Sequence, residues 1–181
     1  MGYMAINLAY SYGLKNVALL DLFIIAFGFM LRVVAGGVLA DVPISRWLVI
    51  MVFLLALFLA LAKRRDDLLL FKKSGQQLRR SVKHYNLEFL GSCLTLLSGI
   101  IMVAYIMYTV SEEVIQRLQT ENLYMTSVFV IAGMMRYLQI TLVENNSGSP
   151  TRILYTDNFI RFVILGWIIS FYSILYLPKM W

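Results

Sequence analysis

Five adjacent charged residues, Lys63-Arg64-Arg65-Asp66-Asp67, hold the densest chemistry in the chain. Three cations side by side can grip phosphate oxygens, Lys as a point charge and Arg as a forked donor. The carboxylates that follow can hold a hard cation such as Mg2+, which takes one or two carboxylates together with substrate phosphates. A basic run can equally serve only to fix orientation in a membrane. Its surroundings bear on the choice. An unbroken apolar run, Trp47 to Ala62, precedes it, and after a basic segment ending near Lys83 comes a second run, Leu87 to Thr109. The patch is therefore expected at a membrane surface, capping a polar cavity inside a helical bundle.

The whole composition points to the same setting. Of 181 residues, 60% are hydrophobic and 14% charged, where a soluble domain carries about a quarter charged. Mean hydropathy is +0.75. The net charge of +6 would suit nucleic acid if it were spread over a face. The basic residues instead concentrate in one segment between apolar runs, which favours membrane orientation and phosphate binding and excludes a nucleic-acid partner. Cys93 is the only cysteine and His84 the only histidine, so neither an intrachain disulfide nor a Cys/His metal cluster can form. The start has no basic run before its apolar stretch, and the next apolar segment is too long for a signal sequence.

The elements that must position the charged patch follow from the apolar runs. Met1 to Gly13 is apolar but only about 20 Å long as a helix, short of a core about 30 Å thick. It reads as a partial helix. Full spans are expected over 17–40, 47–62, 87–109, 122–143 and 159–177. Ser45 is placed to cap the second. The fold class is thus all-α: a polytopic transmembrane helical bundle of about five full spans plus an N-terminal partial helix. It forms one transmembrane domain over 1–181, with residues 63–85 as a basic loop. Loop Lys and Arg lie almost entirely near Lys15 and in 63–83 and 144–157. The acidic residues Asp41, Glu112, Glu113 and Glu121 lie in the other set. The positive-inside rule puts the basic loops in the cytoplasm and the chain in the cell (inner) membrane. Arg136 and Arg161 read as anchors at helix ends. Trp47, Tyr124, Trp167, Tyr176 and Trp181 read as interfacial belts.

Ionisable residues inside spans are costly unless they face a cavity or a partner. Asp21 and Arg32 both lie in the 17–40 span. Their spacing puts them on one face, about 20° apart, yet about 16 Å apart along the axis, too far to pair directly. They are expected to line a polar cavity. The alternative is an interfacial Asp21, with Arg32 reaching outward or pairing with another helix.

Taken in order, a series of residues resembles a known family. It runs Tyr10-Ser11 and Lys15, Asp21, Leu31-Arg32 with Ala35-Gly36-Gly37, Ser45-Arg46-Trp47 and Lys63-Arg64-Arg65-Asp66-Asp67-Leu68. It continues with Arg79-Arg80-Ser81 and Tyr85, Arg136-Tyr137, and Gly148-Ser149-Pro150 before Asp157. This resembles the later half of the UbiA superfamily of intramembrane prenyltransferases, nearest its decaprenyl-phosphate phosphoribosyltransferase branch.

The resemblance implies a nine-helix bundle with a cytoplasm-facing cavity and two Asp-rich motifs that hold a diphosphate through Mg2+. The first motif, N-D-x-x-D, does not occur in this sequence, so the chain is expected to be the C-terminal part of an enzyme. The second, often D-x-x-x-D, falls on Lys63 and Asp67, an ammonium in place of one carboxylate. That exchange suits two phosphorylated substrates, phosphoribosyl diphosphate and a polyprenyl phosphate. The implied roles are phosphate binding for Lys15, Lys63, Arg64 and Arg65, and metal binding for Asp67 with Asp66 as a second candidate. Tyr10, Ser11, Asp21, Arg32 and Tyr85 would line the polar cavity. Ser11 stands where many members have Tyr, with Tyr10 one residue earlier. The implied activity is transfer of 5-phosphoribose to the lipid phosphate. Prenyl transfer to an aromatic acceptor, or an inactive membrane fragment, are the alternatives. A homo-oligomer or a separate N-terminal half are the partners this would require.

Overall fold

The computed structural model describes residues 17, 19–74, 85–144 and 150–176; the expected N-terminal partial helix lies outside them. The described residues form helices and turns with no strand. They fall into two compact units, Met1–Leu97 and Ser98–Trp181.

In the first unit, α1 (Leu20–Leu39) and α2 (Arg46–Ser74) form an antiparallel hairpin. The pairing is visible from end to end. Asp21 meets Arg64, the rings of Phe23 and Phe27 lie 6.0 and 5.0 Å from that of Phe53, and Gly37 abuts Ile44. The turn closes with Val42 donating its N–H to the Gly37 carbonyl at 2.9 Å. As expected, Ser45 caps α2, accepting the Leu48 N–H at 3.1 Å. A Cβ on Gly37 would collide with the Ile44 side chain, so a larger residue at this turn would have to displace it. α3 (Leu87–Thr109) begins in this unit and is capped by Asn86, whose Oδ1 accepts the Phe89 N–H at 2.6 Å.

One element departs from the sequence reading. Where charge density suggests that a loop begins at Lys63, the α2 helix continues to Ser74. No Gly or Pro interrupts 63–73, and Leu61, Arg64 and Leu68 keep helical spacing on a buried face. The charged patch is therefore a rigid helical turn.

The second unit contains the rest of α3, α4 (Glu112–Leu118), a span made of a 3-10 turn (Asn122–Thr126), α5 (Ser127–Leu138) and a π segment (Gln139–Val143), then α6 (Pro150–Thr156) and α7 (Asn158–Tyr176). α5 packs on α7. A relay of hydrogen bonds fastens its interior. Trp167 Nε1 donates to the Tyr105 hydroxyl at 2.8 Å, and Thr126 Oγ1 donates to the Leu123 carbonyl at 2.6 Å. Tyr105 and Thr126 lie 2.7 Å apart, and since the Thr126 proton is committed, Tyr105 is the donor. The indole read as an interfacial belt thus supplies an internal bond as well.

Five helices are long and apolar enough to cross a membrane: Leu20–Leu39, Arg46–Lys72, Leu87–Thr109, Asn122–Val143 and Asn158–Tyr176. This matches the expected all-α multi-span class. Many large apolar side chains, such as Leu96, Val128, Phe162 and Ile169, face outward along these helices, as a lipid-facing surface requires.

Candidate functional site

The site grows from the charged turn of α2. Successive helical residues are about 100° apart, so five adjacent charges cannot share one face. Arg64 and Arg65 turn inward and are 3% and 4% exposed. Lys63 is exposed, and Asp66 and Asp67 are half-buried. Lys63 and Asp67, four apart, lie about 40° from each other and flank one edge of the helix.

Arg64 is gripped from two sides. Its Nε and Nη2 both donate to Asp21 Oδ2, at 3.1 and 2.8 Å. Its Nη1 donates to Asp67 Oδ2 at 3.3 Å. Asp21 is wholly buried at 0% exposure, while Asp67 keeps 31% of its side chain exposed. Arg64 sits 18 residues into α2, about 27 Å along the axis, which is close to the thickness of a hydrocarbon core. Asp21 is the second residue of α1. The pair therefore joins the first turn of α1 to a point about one core thickness along α2.

Tyr85, just before α3, joins the same cluster. Its hydroxyl accepts the Leu19 N–H at 2.5 Å, and it lies close enough to Asp21 and Arg64 to feel their charges. Burial pushes the Tyr85 phenol above its usual range, with the Leu19 bond acting in the opposite direction. Leu19 has φ 67°, a region that non-glycine residues rarely occupy. Its N–H is fixed there by Tyr85. The starts of α1 and α3 and the polar end of α2 are thus tied through Leu19, Asp21, Arg64 and Tyr85.

Of the residues expected at the site, Asp21, Arg64, Asp67 and Tyr85 form this one network, and Lys63, Arg65 and Asp66 are on the same helical turn. Arg32 does not join Asp21. It is exposed on α1, with its guanidinium carbon 5.4 Å from the centre of the Phe29 ring. The shared stripe splits because α2 covers Asp21 and leaves Arg32 uncovered. Tyr10, Ser11 and Lys15 lie outside the described residues.

The donor set limits what metal could be held. Among the described residues, no three His, Cys, Asp or Glu side chains gather into a metal-binding group. Asp67, with Asp66 beside it, can supply one or two carboxylates. That suits a Mg2+ ion whose other ligands are phosphate oxygens and water, and does not suit an all-protein cage.

The second unit holds a separate polar cluster. Arg136 donates from Nε and Nη2 to Asp157 Oδ2 at 3.2 and 2.7 Å, and from Nη1 to Glu144 and Gln139 at 2.8 and 2.9 Å. Asp157 Oδ1 caps α7 by accepting the Ile160 N–H at 2.9 Å. The Arg136 bonds hold the Asp157 carboxyl below the usual carboxylate range. Arg136, read from sequence as an anchor, is an inter-helix brace. Only the presence of both residues in the family-like series hinted at the pairing.

No family model matches the chain. Individual proteins do. Decaprenyl-phosphate phosphoribosyltransferase of Mycolicibacterium smegmatis is 31% identical over 172 residues, covering 92% of this chain and 54% of that protein. The protein of the same name from Corynebacterium glutamicum is 26% identical over 180 residues, 98% of this chain and 53% of the relative. That from Mycobacterium tuberculosis is 26% identical over 172 residues, covering 92% and 54%. The chain spans about half the length of these curated relatives, and over that half its likeness to the decaprenyl-phosphate phosphoribosyltransferase branch of the UbiA superfamily holds.

Proposed function

We propose that this chain forms part of a membrane-bound transferase that moves 5-phosphoribose from phosphoribosyl diphosphate to a polyprenyl phosphate. The observation that carries the reading is similarity along nine-tenths of the chain to proteins of that name. The charged turn agrees with it: Lys63 is exposed on the same helical edge as a half-buried carboxylate. In the reaction, an oxygen of the lipid phosphate bonds to the anomeric carbon of the sugar as the bond from that carbon to pyrophosphate breaks. Negative charge develops on the leaving group, and fixed cations lower its energy. Lys63 contacts a phosphate oxygen directly. Asp67, with Asp66, would hold Mg2+ alongside the substrate phosphates, and the ion would neutralise the diphosphate charge. Buried Arg64 keeps the turn rigid, so little reorganisation is needed on binding.

The reading is tested by assaying membranes containing the chain, with and without the N-terminal half of a relative, for both chemistries. Phosphoribosyl transfer from phosphoribosyl diphosphate to polyprenyl phosphate is expected only when both halves are present, because this chain has no N-D-x-x-D motif to complete a Mg2+–diphosphate site. Prenyl transfer to an aromatic acceptor instead would overturn it.

The site must also face the compartment that supplies phosphoribosyl diphosphate. We place the polar end of α2 in the cytoplasm, from the loop charges. With Cys93 replaced by Ser, a cysteine at exposed Lys72 should react with an impermeant thiol reagent only from the cytoplasmic side. One at exposed Gln116 should react only from outside. The reverse pattern would put the site on the wrong face.

A further inference from the structure

We propose that Arg64 is a positioning residue that acts through Asp67, and that it is not a phosphate ligand; this rests on the reading of the site given above. A guanidinium that binds substrate must reach it. Arg64 is 3% exposed, and all three of its nitrogens already donate to carboxylates, Nε and Nη2 to Asp21 and Nη1 to Asp67. Binding phosphate would require breaking a buried ion pair, which is strongly unfavourable.

The geometry gives Arg64 a different use. Asp21 fixes the guanidinium plane, accepting from both Nε and Nη2 on one oxygen. The remaining edge of that plane points at one oxygen of Asp67 and leaves the carboxylate about one-third exposed. A ligating carboxylate needs such an outer partner to hold its orientation, and loss of one typically costs about 10- to 100-fold in metal affinity. Adjacent cations thus divide the work: Lys63 meets phosphate, and Arg64 aims the carboxylate that meets the metal.

Single removal of Arg64 would leave Asp21 as a buried lone charge and could unfold the chain. The test therefore uses the double variant Asp21→Asn with Arg64→Gln, which removes both charges together. Asp67→Asn and Lys63→Ala are measured beside it. Pyrophosphate binding to the purified complex of this chain with the N-terminal half of a relative, in nanodiscs, is followed by calorimetry over a range of Mg2+ concentrations, with circular dichroism to verify folding. For the double variant and Asp67→Asn, the Mg2+ concentration giving half-maximal pyrophosphate binding should rise about tenfold or more. At saturating Mg2+ their pyrophosphate affinity should stay within about twofold of the parent, since no direct phosphate contact is lost. Lys63→Ala should do the reverse, weakening pyrophosphate at every Mg2+ concentration.

A double variant that binds pyrophosphate much more weakly even at saturating Mg2+ would make Arg64 a direct ligand and overturn the proposal. So would a folded double variant with an unchanged Mg2+ requirement, which would make the pair purely structural. If the parent complex of both halves binds no pyrophosphate at any Mg2+ concentration, the phosphate reading of the site fails, and this inference falls with it.

Discussion

Replacing Asp21 by Ala is expected to destabilise the first unit by about 3–5 kcal/mol, the cost of leaving one buried charge without its partner. Asp21 and Arg64 are 0% and 3% exposed and joined by two hydrogen bonds to one carboxylate oxygen. With Asp21 gone, Nε and Nη2 of Arg64 lose their acceptor in a place water reaches poorly. The double variant Asp21→Asn with Arg64→Gln should recover most of the loss, since neither charge then remains buried. Reversible denaturation in mixed micelles measures both. A drop below about 1 kcal/mol for Asp21→Ala, the range of exposed ion pairs, would mean that water reaches the pair in the membrane.

Lys63→Ala is expected to weaken binding of phosphoribosyl diphosphate about 10- to 100-fold, the equivalent of losing a charge-assisted hydrogen bond of about 1.5–3 kcal/mol. Lys63→Asp restores a D-x-x-x-D spacing with Asp67 but sets a carboxylate against phosphate, so it should be weaker still for this donor. Lys72→Ala is the control: it is exposed on the same helix, more than two turns further on. KM and kcat are measured for each variant in membranes that carry both halves of the enzyme. Because Lys63 is exposed and lies off the buried face that carries Arg64, the fold should be indifferent to all three changes. Equal and small effects at Lys63 and Lys72 would reduce the basic run to a determinant of orientation.

What the sequence by itself determined is what depends on local, bilayer-length patterns. Runs of about twenty apolar residues locate spans because each must cross about 30 Å with its backbone bonds satisfied internally. The third span was legible to the residue, Leu87 to Thr109, and the last to within a residue at either end. The Ser45 cap was legible because a short polar side chain before a helix bonds its own neighbours. The all-α, multi-span class followed from the same apolar runs.

Which charges of the charged patch turn inward and which stay exposed was decided only by tertiary structure. Charge density suggested a loop at Lys63, yet apolar residues through Phe71 and the packing of Arg64 keep the helix going to Ser74. Once the turn is helical, Lys63 and Arg64 point about 100° apart, so one adjacent cation is exposed and the other buried. Which one turns inward depends on a carboxylate 43 residues earlier, brought into register by the α1–α2 hairpin. The same is true of Arg136 and Asp157, 21 residues apart, and of Trp167 and Tyr105, 62 apart. A single sequence records that such residues are present. The energy that pairs them comes from burying both at once, so it exists only where the folded helices bring them together.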